Sequence, residues 1–380
     1  MEWNRKKLWP AAVASLVAIT SLLNAADDTQ MRNLENRVSA LEQRKGSNGM
    51  INPPARPVVK DGVDLYLQGD VFIWQASESD MGYAVKNEHG TSYVADGHVV
   101  RPHFEWDWGF KLAAGFNMPH DGWDLFLQWT RFYTDNNEHG VAANPGGTIF
   151  PTFVNAALQV GGTPAPVTSG FQGASSYWKL KLNLIDLELG REFYVSKWLT
   201  LRPFGGLRSA WLRQRYNVHY NNGTVGTAGG QNLSVNLRNN FWGMGLLGGI
   251  DGKWGLGNGF NICSDLASSI LLGHFKITEL ERRITTSPYE TRLNVQEKFR
   301  VARATLDMSL GFLFERTFAD DRFGLMVKLA WEQHMFFDQN QLMKFPTSSS
   351  VAGQNYSGLF VSSDGDLSTQ GVTLSVGFDF

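Results

Sequence analysis

From about residue 63 onward, apolar side chains recur at every second position. That period belongs to a strand with one apolar and one polar face. In VDLYLQGDVFI (63–73), Val63, Leu65, Leu67, Val71 and Ile73 alternate with Asp64, Gln68 and Asp70. WDWGFKLAAGFNM (106–118) puts Trp106, Trp108, Phe110, Leu112, Phe116 and Met118 on one face. WDLFLQWTRFYT (123–134) does so with Trp123, Leu125, Leu127 and Trp129, and FGLMVKLAWE (323–332) with Phe323, Leu325, Val327, Leu329 and Trp331. In RVARATLDMSLGFLFE (300–315), Ala302, Ala304, Leu306, Met308, Leu310, Phe312 and Phe314 oppose Arg303, Thr305, Asp307 and Ser309. The closing GVTLSVGFDF (371–380) sets Val372, Leu374, Val376, Phe378 and Phe380 against Thr373, Ser375, Gly377 and Asp379.

Alternating segments come in pairs joined by short turns: PHDG (119–122), VSK (195–197), DGK (251–253) and ADD (319–321). Between the pairs lie long polar stretches at 76–104, 135–175, 221–238, 276–297 and 338–367. Short turns at one end and long loops at the other are the asymmetry of an outer-membrane barrel. The pattern predicts an all-β, antiparallel, up-and-down transmembrane β-barrel of about ten strands over 63–380. Strands hidden in the loops, such as TSYVADGHVV (91–100), keep roughly 12 to 16 open. One segment breaks phase. In YWKLKLNLIDLELGRE (177–192), Leu180, Leu182 and Leu184 share a face that Asp186 and Glu188 then continue, which predicts a β-bulge near Ile185 and Asp186 turning Leu187 and Leu189 outward.

The N-terminal part reads differently. Arg5, Lys6 and Lys7 precede an apolar run over 11–23 and small residues at Ala25 and Ala26, the layout of a secretory signal peptide over 1–25. A membrane anchor is the rival, but the run is short of the ~20 residues of an easy helical span. Over 26–45, Met31, Leu34, Val38 and Leu41 follow the a/d spacing of a short coiled-coil helix. That helix either joins copies of the chain into a homo-oligomer such as a trimer or lies alone as an amphipathic periplasmic segment. Residues 46–62, with Pro53, Pro54 and Pro57, read as a linker.

Composition sharpens the barrel reading. The 380-residue chain carries 40 Gly, 25 Phe and 13 Trp, and Trp and Tyr gather where strands cross membrane interfaces. Its formal charge of −2 falls to about −4 without residues 1–25, so nothing basic points to nucleic acid. Cys263 is the only cysteine, which excludes an internal disulfide. Enzymatic chemistry has little to stand on. HVVRPHFEWD (98–107) gathers His98 and His103 beside acids without zinc spacing, and GLGNGF (255–260) lacks the helix that a phosphate loop opens. No catalytic residue, metal site or cofactor is expected.

LNLIDLELGREFYVSKWLTLRPFGGLRSAWLRQRYNVHY (182–220), SSILLGHFKI (268–277), AWEQHMFFDQNQ (330–341) and GDLSTQGVTLSVGFDF (365–380) together resemble the Legionella- and chlamydia-type major outer membrane protein family. The likeness runs from about residue 60, with dissimilar loops. It implies a pore-forming β-barrel abundant in the bacterial outer membrane. Cysteine-rich members cross-link their envelope; with Cys263 alone this chain cannot do so internally.

The polar strand faces supply the pore-lining candidates: Arg202, Arg208, Lys111, Lys179, Lys181, Arg303, Asp307, Lys328 and Glu332. Arg202 and Arg208, six apart on one face, are candidates for a constriction. Either these charges line an aqueous channel, or they pair across a narrow barrel, the arginines with acids such as Asp186 or Glu188. The expectation is a porin passing ions and small hydrophilic solutes. The alternative is a non-conducting structural or adhesive barrel whose loops bind host or other partners. Outer-membrane lipid and the barrel assembly machinery are the expected partners, with Phe378 and Phe380 as the assembly signal.

Overall fold

The computed structural model describes residues 55, 59, 64–87, 97–118, 122–136, 139–145, 147–154, 159–160, 163–164, 167–225, 228–285, 289–344 and 361–380. The expected signal peptide and coiled coil, with Met31, Leu34, Val38 and Leu41, lie outside these residues, as does all but Ala55 and Val59 of the linker.

Ten long strands carry the fold: β1 (Leu65–Glu78), β2 (Trp106–Asn117), β3 (Trp123–Asp135), β4 (Gly173–Arg191), β5 (Leu199–Val225), β6 (Ala228–Gly257), β7 (Phe260–Arg283), β8 (Glu290–Phe318), β9 (Phe323–Asn340) and β10 (Gly365–Asp379). Each pairs antiparallel with its sequence neighbour, and β10 pairs with β1 from Tyr66↔Asp379 to Glu78↔Leu367. The sheet is therefore a closed barrel, which leaves no unpaired edge in lipid.

The alternation read from the sequence sets the two faces. Outward positions are exposed and apolar: Val71 at 59%, Trp108 at 68%, and Leu246 and Leu272 at 72% each. Trp242 and Trp254, both outward on β6, bracket this band. Twelve residues at about 3.3 Å each give roughly 40 Å along the strand, or about 30 Å normal to the membrane at a 40° tilt. That matches the ~30 Å hydrocarbon core of a bilayer.

Several expectations are corrected. The register of β4 runs unbroken against both β3 and β5, so no bulge forms at Ile185 or Asp186. Leu180, Leu182 and Leu184 point inward and are at most 4% exposed, on the same face as Asp186 and Glu188. The leucines lie beyond the membrane-level lumen, where the interior is apolar, so the strand has no reason to change phase. DGK lies within β6; the turn is instead at Gly257, Asn258 and Gly259, with φ of 101°, 53° and 86°. Positive φ is what a tight hairpin needs, and glycine and asparagine accept it. The stretches 221–238 and 276–297 are mostly strand, because β5 to β8 project well past the bilayer. Within TSYVADGHVV the described residues, Gly97–Val100, form a strand that joins Ala84–Asn87 and Thr148–Pro151 in a small sheet separate from the barrel, and 91–96 lie outside the described residues.

Candidate functional site

The inward face changes character along the barrel axis. At membrane level it is ionic. Nearest the short turns, Arg202 on β5 meets three carboxylates from three strands: Asp124 at 2.5 Å, Asp251 at 2.8 Å and Glu188 at 3.1 Å. Beside it, Lys253 reaches Glu315 at 2.7 Å and Glu192 at 3.3 Å, and Lys328 pairs with Asp265. Alternation explains the convergence: strands holding apolar residues against lipid must turn the intervening side chains into the lumen.

Further from the short turns the charges form a belt. Arg208 grips Asp186 with two parallel bonds, Nε to Oδ1 at 2.7 Å and Nη2 to Oδ2 at 2.9 Å. Its Nη1 donates to Asp307 and, at 3.1 Å, to Thr305. Asp307 meets His334 Nδ1 at 2.8 Å, and Glu332 binds Lys111 at 2.8 Å. Thr373 donates to Glu332 at 2.7 Å and accepts from Trp74 Nε1 at 3.2 Å. The belt thus draws on seven strands, β1, β2, β4, β5, β8, β9 and β10.

Lys111, Arg202, Arg208, Arg303, Asp307, Lys328 and Glu332 face inward as their alternation requires. Arg303 reaches Asp338 at 3.5 Å. Lys179 and Lys181 are corrected: they stand on the outer face of β4, against the Tyr133 ring at 5.0 and 5.6 Å. Without the bulge, the lysines and leucines of β4 exchange faces. Asp251 and Lys253 went unread because DGK looked like a turn, and His334 because one histidine on a strand carries no spacing signal. Phe378 and Phe380 are exposed at 46% and 39% beside the short-turn end. Cys263 is 3% exposed and faces the lumen.

The membrane-level lumen encloses a cavity of about 330 Å³. Carboxylates outnumber lysines and arginines among its lining residues, eleven to six, so its potential is negative. Past the belt the interior is largely apolar, with a few enclosed charges such as Glu279 and the Glu281–Arg292 pair at 2.8 Å. Phe72, Phe132, Trp178, Leu180, Leu182, Phe241, Phe275 and Phe336 are at most 3% exposed. Phe72 stacks on Trp74 with centroids 3.6 Å apart, and Phe241 packs on Phe275 at 4.7 Å. The segment after β1 folds over this core: Tyr216 and Tyr220 donate to the carbonyls of Met81 (2.9 Å) and Tyr83 (2.6 Å). Glu78, five residues beyond the last outward apolar side chain of β1, is enclosed here too. It accepts from Gln214 at 2.8 Å, and burial pushes its carboxyl up to about 8.

A family model described as the Legionella pneumophila major outer membrane protein precursor matches residues 57–380. No curated protein matches the chain. Among solved structures, the outer membrane protease OmpT of Escherichia coli is similar at 12% identity, over 83% of this chain and 97% of that one, with a TM-score of 0.32. A Pseudomonas aeruginosa FadL homologue is 9% identical over 87% and 92% of the two chains, with a TM-score of 0.26. The Pseudomonas putida toluene transporter TodX is 8% identical over 87% and 92%, with a TM-score of 0.21. Likenesses this distant leave activity and substrate to the chain's own residues.

Proposed function

This chain belongs to the family of the Legionella pneumophila major outer membrane protein, and on that premise we propose that it is a gated porin of the outer membrane, passing small cations. The observation that carries the reading is the acid-rich ionic lumen at the level of the membrane. Buried ion pairs add little stability over well-packed apolar residues. Ionisable groups inside a membrane protein instead mark ion paths. The acid excess favours cations over anions. The belt around Arg208 and the apolar layer beyond it are the closed gate, of the kind that opens by wetting. This is narrower than a general diffusion pore: a cavity of about 330 Å³ crossed by ion pairs leaves no bore for sugars.

The reading is non-enzymatic. Asp307 and His334 are a pair that acid–base chemistry uses, but they lie in the lumen under the apolar layer with side chains 11% and 13% exposed. Among the described residues, the apolar layer separates them from the extracellular side.

The test is single-channel recording of refolded protein in planar bilayers. We expect rare discrete openings with cation preference, and more frequent openings in Arg202→Ala and Arg208→Ala variants shown to be folded by heat-modifiable gel migration. A folded barrel silent in all three forms refutes the channel. The second reading would then stand: a closed structural barrel presenting its extracellular segments to partners, which the buried core beyond the membrane favours.

A further inference from the structure

On the outer face, immediately past the apolar band, six cations gather on four neighbouring strands: Lys179 and Lys181 (β4), Arg213 and Arg215 (β5), Arg238 (β6) and Lys276 (β7). They frame a recess of about 430 Å³ completed by Trp211, Trp242 and His274, and no acidic side chain lines it among the described residues. The placement is regular along each strand. Trp211 is followed by Arg213 and Arg215, about 7 and 13 Å further out at 3.3 Å per residue. On β6, Trp242 gives way to Asn240 and Arg238, and on β7, Leu272 to His274 and Lys276.

The cations also face one another. Lys181 lies directly opposite Arg213, Lys179 opposite Arg215, and Arg215 opposite Arg238. Like charges paired this way across strands destabilise a sheet. The one ion pair shown for the group, Lys179 to Asp135 at 3.4 Å, answers only its edge. A polyanion lying across the strands resolves the repulsion. The level selects which one: Trp211 and Trp242 are opposed at the membrane surface, so the cations stand where lipid headgroups are, above apolar surface from Met244, Leu246 and Leu272.

We infer that this recess binds the multiply phosphorylated headgroup of an outer-leaflet glycolipid, phosphates against Arg213, Arg215 and Arg238 and acyl chains along the apolar band below. The site is on the outside of the barrel and separate from the lumen. It rests on outer-membrane residence alone and stands whether or not the barrel conducts.

The experiment is native mass spectrometry of the folded full chain in a neutral detergent, titrated with bis-phosphorylated lipid A, fully dephosphorylated lipid A, or phosphatidylglycerol. The bis-phosphorylated form should bind most tightly. An R213Q/R215Q/R238Q variant should bind it on the order of 100-fold more weakly, at roughly fivefold per cation removed. Lys197→Gln, at a short turn, should leave binding unchanged. Equal retention of dephosphorylated lipid A, equal retention of phosphatidylglycerol, or undiminished binding by the folded triple variant each overturns the inference. Should the triple variant not fold, R215Q and R238Q alone carry the test; each should weaken binding roughly fivefold, and wild-type affinity in both overturns it.

Discussion

Replacing Arg208 by Met tests whether the belt across the lumen is dry. Arg208 is 6% exposed, and its two carboxylate partners, Asp186 and Asp307, are 4% and 11% exposed. Methionine fills much of the same volume but strands both acids in the lumen, with only His334 left beside Asp307. Breaking a buried pair in this way costs about 3–5 kcal/mol, most of it the penalty of the uncompensated charges. The same change in a water-filled bore, where the acids stay hydrated, costs about 0–1 kcal/mol. Adding Asp186→Asn and Asp307→Asn to Arg208→Met removes the stranded charges and should recover most of the loss, because an apolar or neutral set replaces a buried ionic one at little net cost. The assay is urea unfolding of barrels refolded into phosphatidylcholine vesicles, followed by tryptophan fluorescence. A single variant losing less than about 1 kcal/mol refutes the dry belt, and with it the closed gate.

Three further outcomes are expected. Leu246, 72% exposed, lies inside the band between Trp242 and Trp254 and nearer Trp242, so Leu246→Arg should cost about 2 kcal/mol in vesicle-based unfolding; a loss below about 1 kcal/mol would move the membrane off this band. Glu78 holds its proton in the folded state up to about pH 8, whereas the ordinary carboxylate value is 4.5, so stability falls as pH rises between the two. Glu78→Gln should therefore gain about 3 kcal/mol over the wild type at pH 7 and nothing below pH 4, and parallel pH–stability curves for the two proteins would contradict this. Gly115 lies under the Tyr66 ring, which in turn stacks on Phe126 at 5.7 Å, so Gly115→Val must displace both rings; the expected loss is about 1–3 kcal/mol, and a wild-type unfolding midpoint would show that the ring has room to move.

The sequence by itself determined the architecture, because a period of two is a local property. Val71, Trp108, Leu310 and Leu374 announce an outward face wherever the strand sits, and short turns alternating with long connections count the strands. It also placed Arg202, Arg208 and Glu332 on the inner face, since alternation alone assigns a side. Where local pattern and surroundings conflicted, only the tertiary structure decided. Leu180, Leu182 and Leu184 look like a lipid face in isolation, yet β5 to β8 extend past the bilayer and create an apolar interior for them, so β4 keeps its phase and turns Lys179 and Lys181 outward. Partner choice was equally out of reach. Lys111 and Glu332 meet across 221 residues, and Arg208 reaches Asp307 across 99. Which inward charges touch depends on the register around a closed ring of ten strands, and that register is fixed only when β10 pairs with β1.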